Sequence, residues 1–331
     1  MVPFVSAMRQ RFPPDYYTSG ILAGDRLRLS RAITLVESRL PDDQMLAQQV
    51  LDSLLDKTGQ SIRVGITGIP GVGKSQFIEA FGQYLTSLGH RVAVLAVDPT
   101  SQRSGGSLLG DKTRMETLSM NPNAYIRPSP AGDALGGVGH HTRETMLLCE
   151  AAGYDVVLVE TVGVGQSETV VHGMVDFFLL LLLAGAGDEL QGMKRGIMEL
   201  ADALAITKAD GDNVVPANRA RAEYQNALHL YAPTGTGWFP PVLTSSALTG
   251  EGIAEIWQTI QTHQELMANK GHRLQRRQEQ QLTWFRSLLR HQLEGRFYDQ
   301  PGISDRLIAV EAQIRAGALL PGAAVRTLFE T

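Results

Sequence analysis

Cysteine is almost missing: Cys149 is the only one in 331 residues, so neither an intramolecular disulfide nor a cysteine-built metal cage can form within one chain. A reducing compartment is the natural setting. Basic residues are not in excess either. Thirty Lys and Arg face 34 acids, a formal net charge of -4, and counterion release on nucleic acid needs clustered bases that this balance does not supply. No nucleic-acid partner is expected. The longest apolar run, Phe177 to Gly187, is about half the length needed to cross a bilayer. It reads as a buried strand, so no membrane partner is expected. The opening MVPFVSAMRQRFPP has arginines where a secretory apolar core belongs and lacks an Arg- and Ser-rich transit pattern. The chain is expected to be cytoplasmic.

What is present fits a globular α/β protein with appendages, at 43% hydrophobic and 19% charged residues. In residues 1–58, Leu29, Ile33, Val36 and Leu40 precede Pro41, and Leu46, Val50 and Leu54 follow it. This helical spacing predicts two helices packed as a flap on the main domain. Residues 59–268 change to short apolar runs between Gly-rich turns: Ile62–Thr67, Val92–Val97, Ala124–Ile126, Val156–Glu160, Val175–Leu183, Ala203–Ile206 and Val242–Thr244. The runs lack period-two alternation, which predicts a mostly parallel sheet with helices on both faces. In residues 269–331 such runs stop, and Arg273, Arg276, Arg277, Arg286, Arg290 and Arg296 punctuate helical segments. This charge run is read as a solvated helix face.

The first chemical signal is Gly68-Ile69-Pro70-Gly71-Val72-Gly73-Lys74-Ser75, with Gln76 following, placed between a predicted strand and a predicted helix. That is the context the phosphate-binding pattern G-x-x-x-x-G-K-[ST] requires. Glycines let backbone N–H groups wrap the phosphates, Lys74 neutralises β/γ charge, Ser75 offers a Mg²⁺ ligand, and the helix N-terminus favours an anion.

Base choice comes from two later strand ends, Thr207-Lys208-Ala-Asp210 and Ser246-Ala247. A carboxylate at Asp210 can accept from both N1–H and the 2-amino group of guanine, a donor pair that adenine lacks. Lys208 can lie over the base and the Ala247 N–H can reach O6. Thr207 stands where an Asn is usual, and signal-recognition-particle GTPases resemble this chain there. The reading is a GTPase that binds GTP and GDP with Mg²⁺.

Asp98, Asp111 and Glu160 follow strands or lie in loops beside the motif. Carboxylates at strand ends are costly to bury without a cation, and a phosphate-bound Mg²⁺ held with Ser75 accounts for them. In Glu160-Thr-Val-Gly163, the Gly163 N–H can face the γ-phosphate, making the following segment a switch. Gln166 lies close, but no water-orienting residue is assigned. His140 and His141 are read as a solvated loop pair rather than metal ligands.

At this point the chain resembles the metallochaperone-type P-loop GTPases, and among them the MeaB/ArgK family of GTPase chaperones for adenosylcobalamin-dependent methylmalonyl-CoA mutase. The matching strings are Ala96–Ser101, Gly105–Met115, Val159–Glu168, Ala186–Lys194 and Leu243–Gly252. Resemblance implies a Mg²⁺-dependent GTP hydrolase whose partner is that mutase. It implies that Lys74 and Ser75 hold phosphate and metal, that Asp98 and Asp111 serve the metal and a first switch, and that Glu160 belongs to a second. It also suggests a third switch at Asp188–Lys194, where Gln191 and Lys194 reach the nucleotide when the mutase docks; Asp188 and Glu189 equally suit the first turn of a helix. By resemblance the tail is a dimerisation arm, making a homodimer. A nickel-type metallochaperone GTPase and a transport-system protein kinase are the alternatives; the first should carry His-rich segments, and the second should prefer ATP.

Overall fold

Seven consecutive apolar residues, Phe177–Leu183, can be satisfied in a strand only where both faces are covered. The computed structural model describes residues 11–97, 115–128, 135–161, 167–185, 195–229 and 235–329, and it puts this run inside the sheet. The strands are β1 (Ile62–Gly68), β2 (Val92–Val97), β3 (Ala124–Arg127), β4 (Val156–Thr161), β5 (Phe177–Leu183), β6 (Ala203–Thr207) and β7 (Val242–Thr244). They pair in the order β3-β2-β4-β1-β5-β6-β7, and every pairing is parallel. β1 therefore has β4 on one side and β5 on the other. The chain turns one way after β1 and the other way after β4, so a crevice opens beyond the C-terminal end of β1, where α/β sheets bind ligands.

Thirteen α-helices lie among the described residues: α1 (Pro14–Leu22), α2 (Arg26–Val36), α3 (Pro41–Leu54), α4 (Lys74–Ser87), α5 (Glu116–Met120), α6 (Leu135–Ala151), α7 (Ser167–His172), α8 (Arg195–Leu200), α9 (Val214–Leu228), α10 (Ile253–Asn269), α11 (His272–Tyr298), α12 (Ile303–Arg315) and α13 (Pro321–Phe329). None is long and apolar enough to cross a membrane. On one face of the sheet, Ile21, Ile33 and Leu54 join Leu148, Cys149 and Val157 in a single buried cluster. On the other, Phe77, Phe81 and Leu85 of α4 meet Trp257 and Ile260 of α10 over Val64 and Ile66.

Three helices, not two, precede the sheet. α1 escapes the periodicity because it is short, starting at a proline and burying only Tyr17, Gly20 and Ile21. α2 begins where Asp25 accepts from the backbone N–H of Leu27 and Arg28 at 2.9 and 3.1 Å, a side-chain cap. The histidine pair also differs from its reading: His140 and His141 lie within α6, not in a loop. Gly136, Gly137 and Gly139 dilute the helical pattern there, glycine being a poor helix former.

The chain divides into two compact units, Met1–Gln278 and Glu279–Thr331. The first three arginines of the tail run belong to the first unit, and reading them as solvated is incorrect. Arg277 donates from Nε and Nη2 to the two oxygens of Asp176 at 2.7 and 2.6 Å, and from Nη2 to the Ser61 carbonyl at 2.7 Å. It also bonds the Gly59 carbonyl. Arg273 donates to Ser61 O at 3.0 Å, and Arg276 lies 3.4 Å from Asp202. The cause is the sheet: Asp176 and Asp202 stand just before β5 and β6, out of the solvent, and need cations. In the second unit, Phe297 stacks on Phe329 with centroids 4.7 Å apart, and Arg306 donates to the Thr327 carbonyl at 2.9 Å. Leu282, Phe285, Leu289 and Leu293 of that unit are exposed.

Candidate nucleotide site

The loop between β1 and α4 is shaped by its glycines. A Cβ on Gly68 would sit 2.6 Å from the Leu181 carbonyl oxygen, so only glycine lets the chain leave β1 so close to β5. Gly73, at φ 93 and ψ 28, turns the backbone left-handed and caps α4, which starts at Lys74. Val72 is fully buried and pins the loop from below. The Lys74 ammonium donates to Gly68 O at 2.7 Å and Ile69 O at 3.3 Å, spanning the loop. Burial lowers its pKa, while the charges of Glu160 and Glu168 pull it back up. Ser75 Oγ donates to Glu160 Oε1 at 3.4 Å. Glu160, near the end of β4, is 3% exposed, so a hydroxyl and a buried carboxylate face one another beside the N-terminus of a 14-residue helix.

The second half of the site is built from the ends of β6 and β7. Thr207 Oγ1 lies 2.7 Å from the Val72 carbonyl and 3.1 Å from that of Leu182; having one hydrogen, it donates to one at a time. Lys208 adopts φ 55, a left-handed conformation rare outside glycine. Its carbonyl accepts from Asn213 Nδ2 at 2.7 Å, and its Nζ donates to Gly71 O at 3.0 Å. Ser246 Oγ donates to Asp210 Oδ2 at 2.5 Å and accepts from the N–H groups of Leu248 and Thr249. These contacts leave a cleft of about 230 Å³ lined by Gly73, Gln76, Lys208, Asp210, Ala247 and Leu248, among others. Its lining brings together a carboxylate, a lysine and the backbone of the glycine loop, donors and acceptors suited to a purine that carries phosphates.

A family model described as methylmalonyl Co-A mutase-associated GTPase MeaB matches residues 29–301. The chain belongs to the MeaB family. It is 48% identical over 336 residues to the mouse mitochondrial methylmalonic aciduria type A homolog, covering 98% of this chain and 81% of that one. It is 46% identical over 307 residues to GTPase ArgK of Escherichia coli, covering 93% of each. Among solved structures, one described as a LAO/AO transport system kinase superposes with a TM-score of 0.77 at 38% identity, covering 98% of this chain and 99% of that one. This MeaB-family protein is a GTPase.

Of the residues singled out by sequence, the MeaB-family structure brings Gly68–Gln76 and Glu160 to one end of the crevice and Thr207, Lys208, Asp210, Ser246 and Ala247 to the other. Asp98, Asp111, Gly163, Gln191 and Lys194 lie outside the described residues. Three lining residues were not read from sequence as site residues: Leu248, Phe77 and Ser245, the last directly before Ser246. Leu248 is 85% exposed yet borders the cleft, and its place directly after Ala247 was the available signal. Phe77 is buried under the loop, and nothing in its helical spacing separates it from ordinary core.

Proposed function

We propose that this MeaB-family GTPase couples GTP hydrolysis to the loading of adenosylcobalamin onto a methylmalonyl-CoA mutase and to protection of the loaded enzyme. It does no chemistry on the acyl-CoA. The family match over residues 29–301, described as mutase-associated, carries this reading; the name of the mouse relative, which refers to methylmalonic aciduria, points the same way.

In this proposal the loop Gly68–Ser75 holds the phosphates, with Lys74 opposing β/γ charge, and Gln76 faces the cleft from the first turn of α4. Thr207 holds the base loop against the phosphate loop, Lys208 covers the purine, Asp210 and Ala247 read guanine, and Ser246 fixes the Asp210 carboxylate. Mg²⁺ fits the residues present: the facing oxygens of Ser75 and Glu160 are hard donors, and the Glu160 carboxylate is buried. Asp98 and Asp111 complete that set. The ion supplies charge neutralisation at the phosphates. Gly163, Gln191 and Lys194 respond to the γ-phosphate and to the mutase, and the C-terminal helices make a homodimer.

Pull-down of methylmalonyl-CoA mutase by the purified chain, loaded with GDP or with a non-hydrolysable GTP analogue, tests the reading. Capture should differ between the two nucleotides; no capture in either state overturns it. The solved structure described as a transport system kinase supports a second reading, phosphate transfer to a transport protein. Transfer of the γ-phosphate of ATP to such a protein, with no preference for GTP, would favour it, whereas the Asp210–Ser246 arrangement favours guanine.

A further inference from the structure

We propose that Asn213 is a positioning residue for guanine recognition: its side-chain amide holds Lys208 in the left-handed conformation from which the loop after β6 presents Asp210 to the base. The inference rests on the reading above that Asp210 accepts from guanine.

Lys208, at φ 55, is the one non-glycine residue with positive φ among the described residues. A Cβ crowds the backbone in that conformation, and such strain persists only where the surroundings fix it. The peptide unit that follows Lys208 is gripped at both ends. Its carbonyl accepts from Asn213 Nδ2 at 2.7 Å, and its N–H, which belongs to Ala209, donates to the Ser245 carbonyl at 3.0 Å. The unit is planar, with its C=O and N–H pointing opposite ways, so the two bonds together set its orientation. One of them joins backbone to backbone. Asn213 supplies the only side chain in the clamp.

Asn213 holds the loop a second time. Its own N–H donates to the Asp210 carbonyl at 3.0 Å, across the turn Gly211–Asn213. The backbone of Asp210 is thus tied to Asn213, and its carboxylate is tied to Ser246 Oγ at 2.5 Å.

The place of Asn213 in the chain argues against a purely local role. It stands immediately before α9, where an asparagine side chain ordinarily caps a helix by accepting from the second or third N–H, yet it makes no capping bond. The third residue of α9 is Pro216, which has no N–H to offer. The side chain turns back to Lys208 instead. Lys208 and Asp210 line the nucleotide cleft and Asn213 does not, so an effect of Asn213 on the base passes through them.

The test uses the full chain with Asn213→Ala, Asn213→Asp and Asp210→Ala. Aspartate has nearly the shape of asparagine but no hydrogen to donate, and it sets a second acceptor against the Lys208 carbonyl. The readouts are affinity for GDP and for inosine diphosphate by calorimetry, and kcat and KM for GTP. Inosine keeps N1–H and lacks the 2-amino group, so the ratio of the two affinities reports how squarely Asp210 faces the base. Both Asn213 variants should lose GDP affinity by about fivefold or more, the worth of one hydrogen bond in an equilibrium, and the ratio should fall by about threefold or more. KM for GTP should rise while kcat stays within about twofold, the mark of lost binding common to the ground and transition states. An unchanged ratio in either Asn213 variant, whether or not both nucleotides bind more weakly, beside a lowered ratio in Asp210→Ala, would overturn the proposal and leave the guanine reading standing. If Asp210→Ala keeps the parental ratio, Asp210 does not read guanine, and the proposal falls with that reading.

Discussion

Arg277 meets Asp176 with two parallel hydrogen bonds, Nε to Oδ1 and Nη2 to Oδ2 at 2.7 and 2.6 Å, and the pair sits where β1 and β5 begin. Burial pushes the Asp176 carboxyl up, but the bonds and charge of Arg277, with Arg63, more than offset it, and its pKa lies below the ordinary carboxylate value. With the folded pKa below the unfolded value of about 3.9, the stability from Asp176 is present above about pH 4 and lost as pH falls further. Arg277→Met removes the offset and leaves the burial. We expect a loss of about 3–5 kcal/mol at pH 7, shrinking as pH falls toward 4. Urea denaturation of both proteins across that range measures it; equal stability at pH 7 would show the pair to be idle.

His172 carries a pH dependence of the same sign in a higher window. Burial, joined by the charge of Arg276 and opposed by that of Asp202, lowers its pKa to about 4. The unfolded chain, with a histidine near 6.5, binds the proton first on acidification, so stability should fall as pH drops from about 6.5 to about 4. The difference amounts to about 3 kcal/mol. His172→Phe should flatten that part of the stability profile, as followed by urea melts at pH 5 and pH 7.

Base choice is carried in our reading by Asp210, held by Ser246 at 2.5 Å. GTP should bind better than ATP by roughly four to five decades, because adenine would leave the half-buried carboxylate without its donors. Asp210→Asn should move preference toward xanthosine nucleotides. Calorimetry showing equal affinity for ATP and GTP in the parent protein would remove Asp210 from the base site.

Truncation separates the two units only if it is made in the right place. A cut after residue 268, the limit expected from sequence, deletes Arg273, Arg276 and Arg277 and strands Asp176 and Asp202. That protein should be markedly less stable than one ending at Gln278, where the first compact unit ends. The longer protein should keep GDP binding. By light scattering at matched concentration it should be a monomer and the full chain a dimer; a full-length monomer at high micromolar concentration would refute the arm.

The parallel sheet was legible because its strands are short, mostly apolar runs without period-two alternation, as in Val92–Val97 between Arg91 and Asp98. The phosphate loop was legible because its chemistry is local: Gly68, Gly73, Lys74 and Ser75 are neighbours, and each residue type has its own physical reason. The arginine run was misread because its partners are remote. Nothing near Arg277 in sequence announces Asp176, 101 positions away, and a helix with interspersed charges reads as solvated until the sheet beneath it is known. Thr207 poses the same difficulty. Spacing gives it to the base loop and cannot show the Val72 carbonyl, 135 positions away, that its hydroxyl meets. The bond that Glu79 accepts from the Leu118 N–H, 39 positions away, is hidden for the same reason, since an acid in a helix has no visible claim on the N–H groups of another.

β5 also shapes the unfolded chain. Phe177–Leu183 holds seven apolar residues without a charge or a proline, the composition that stacks readily into intermolecular β-structure. Asp176 stands directly before it and Gly185 and Gly187 shortly after, flanking residues of the kind that restrain such stacking. The aspartate that anchors Arg277 in the folded protein is thus also the charge that guards the run before folding. Refolding yield should therefore drop steeply with protein concentration, and more steeply once residue 176 is neutral.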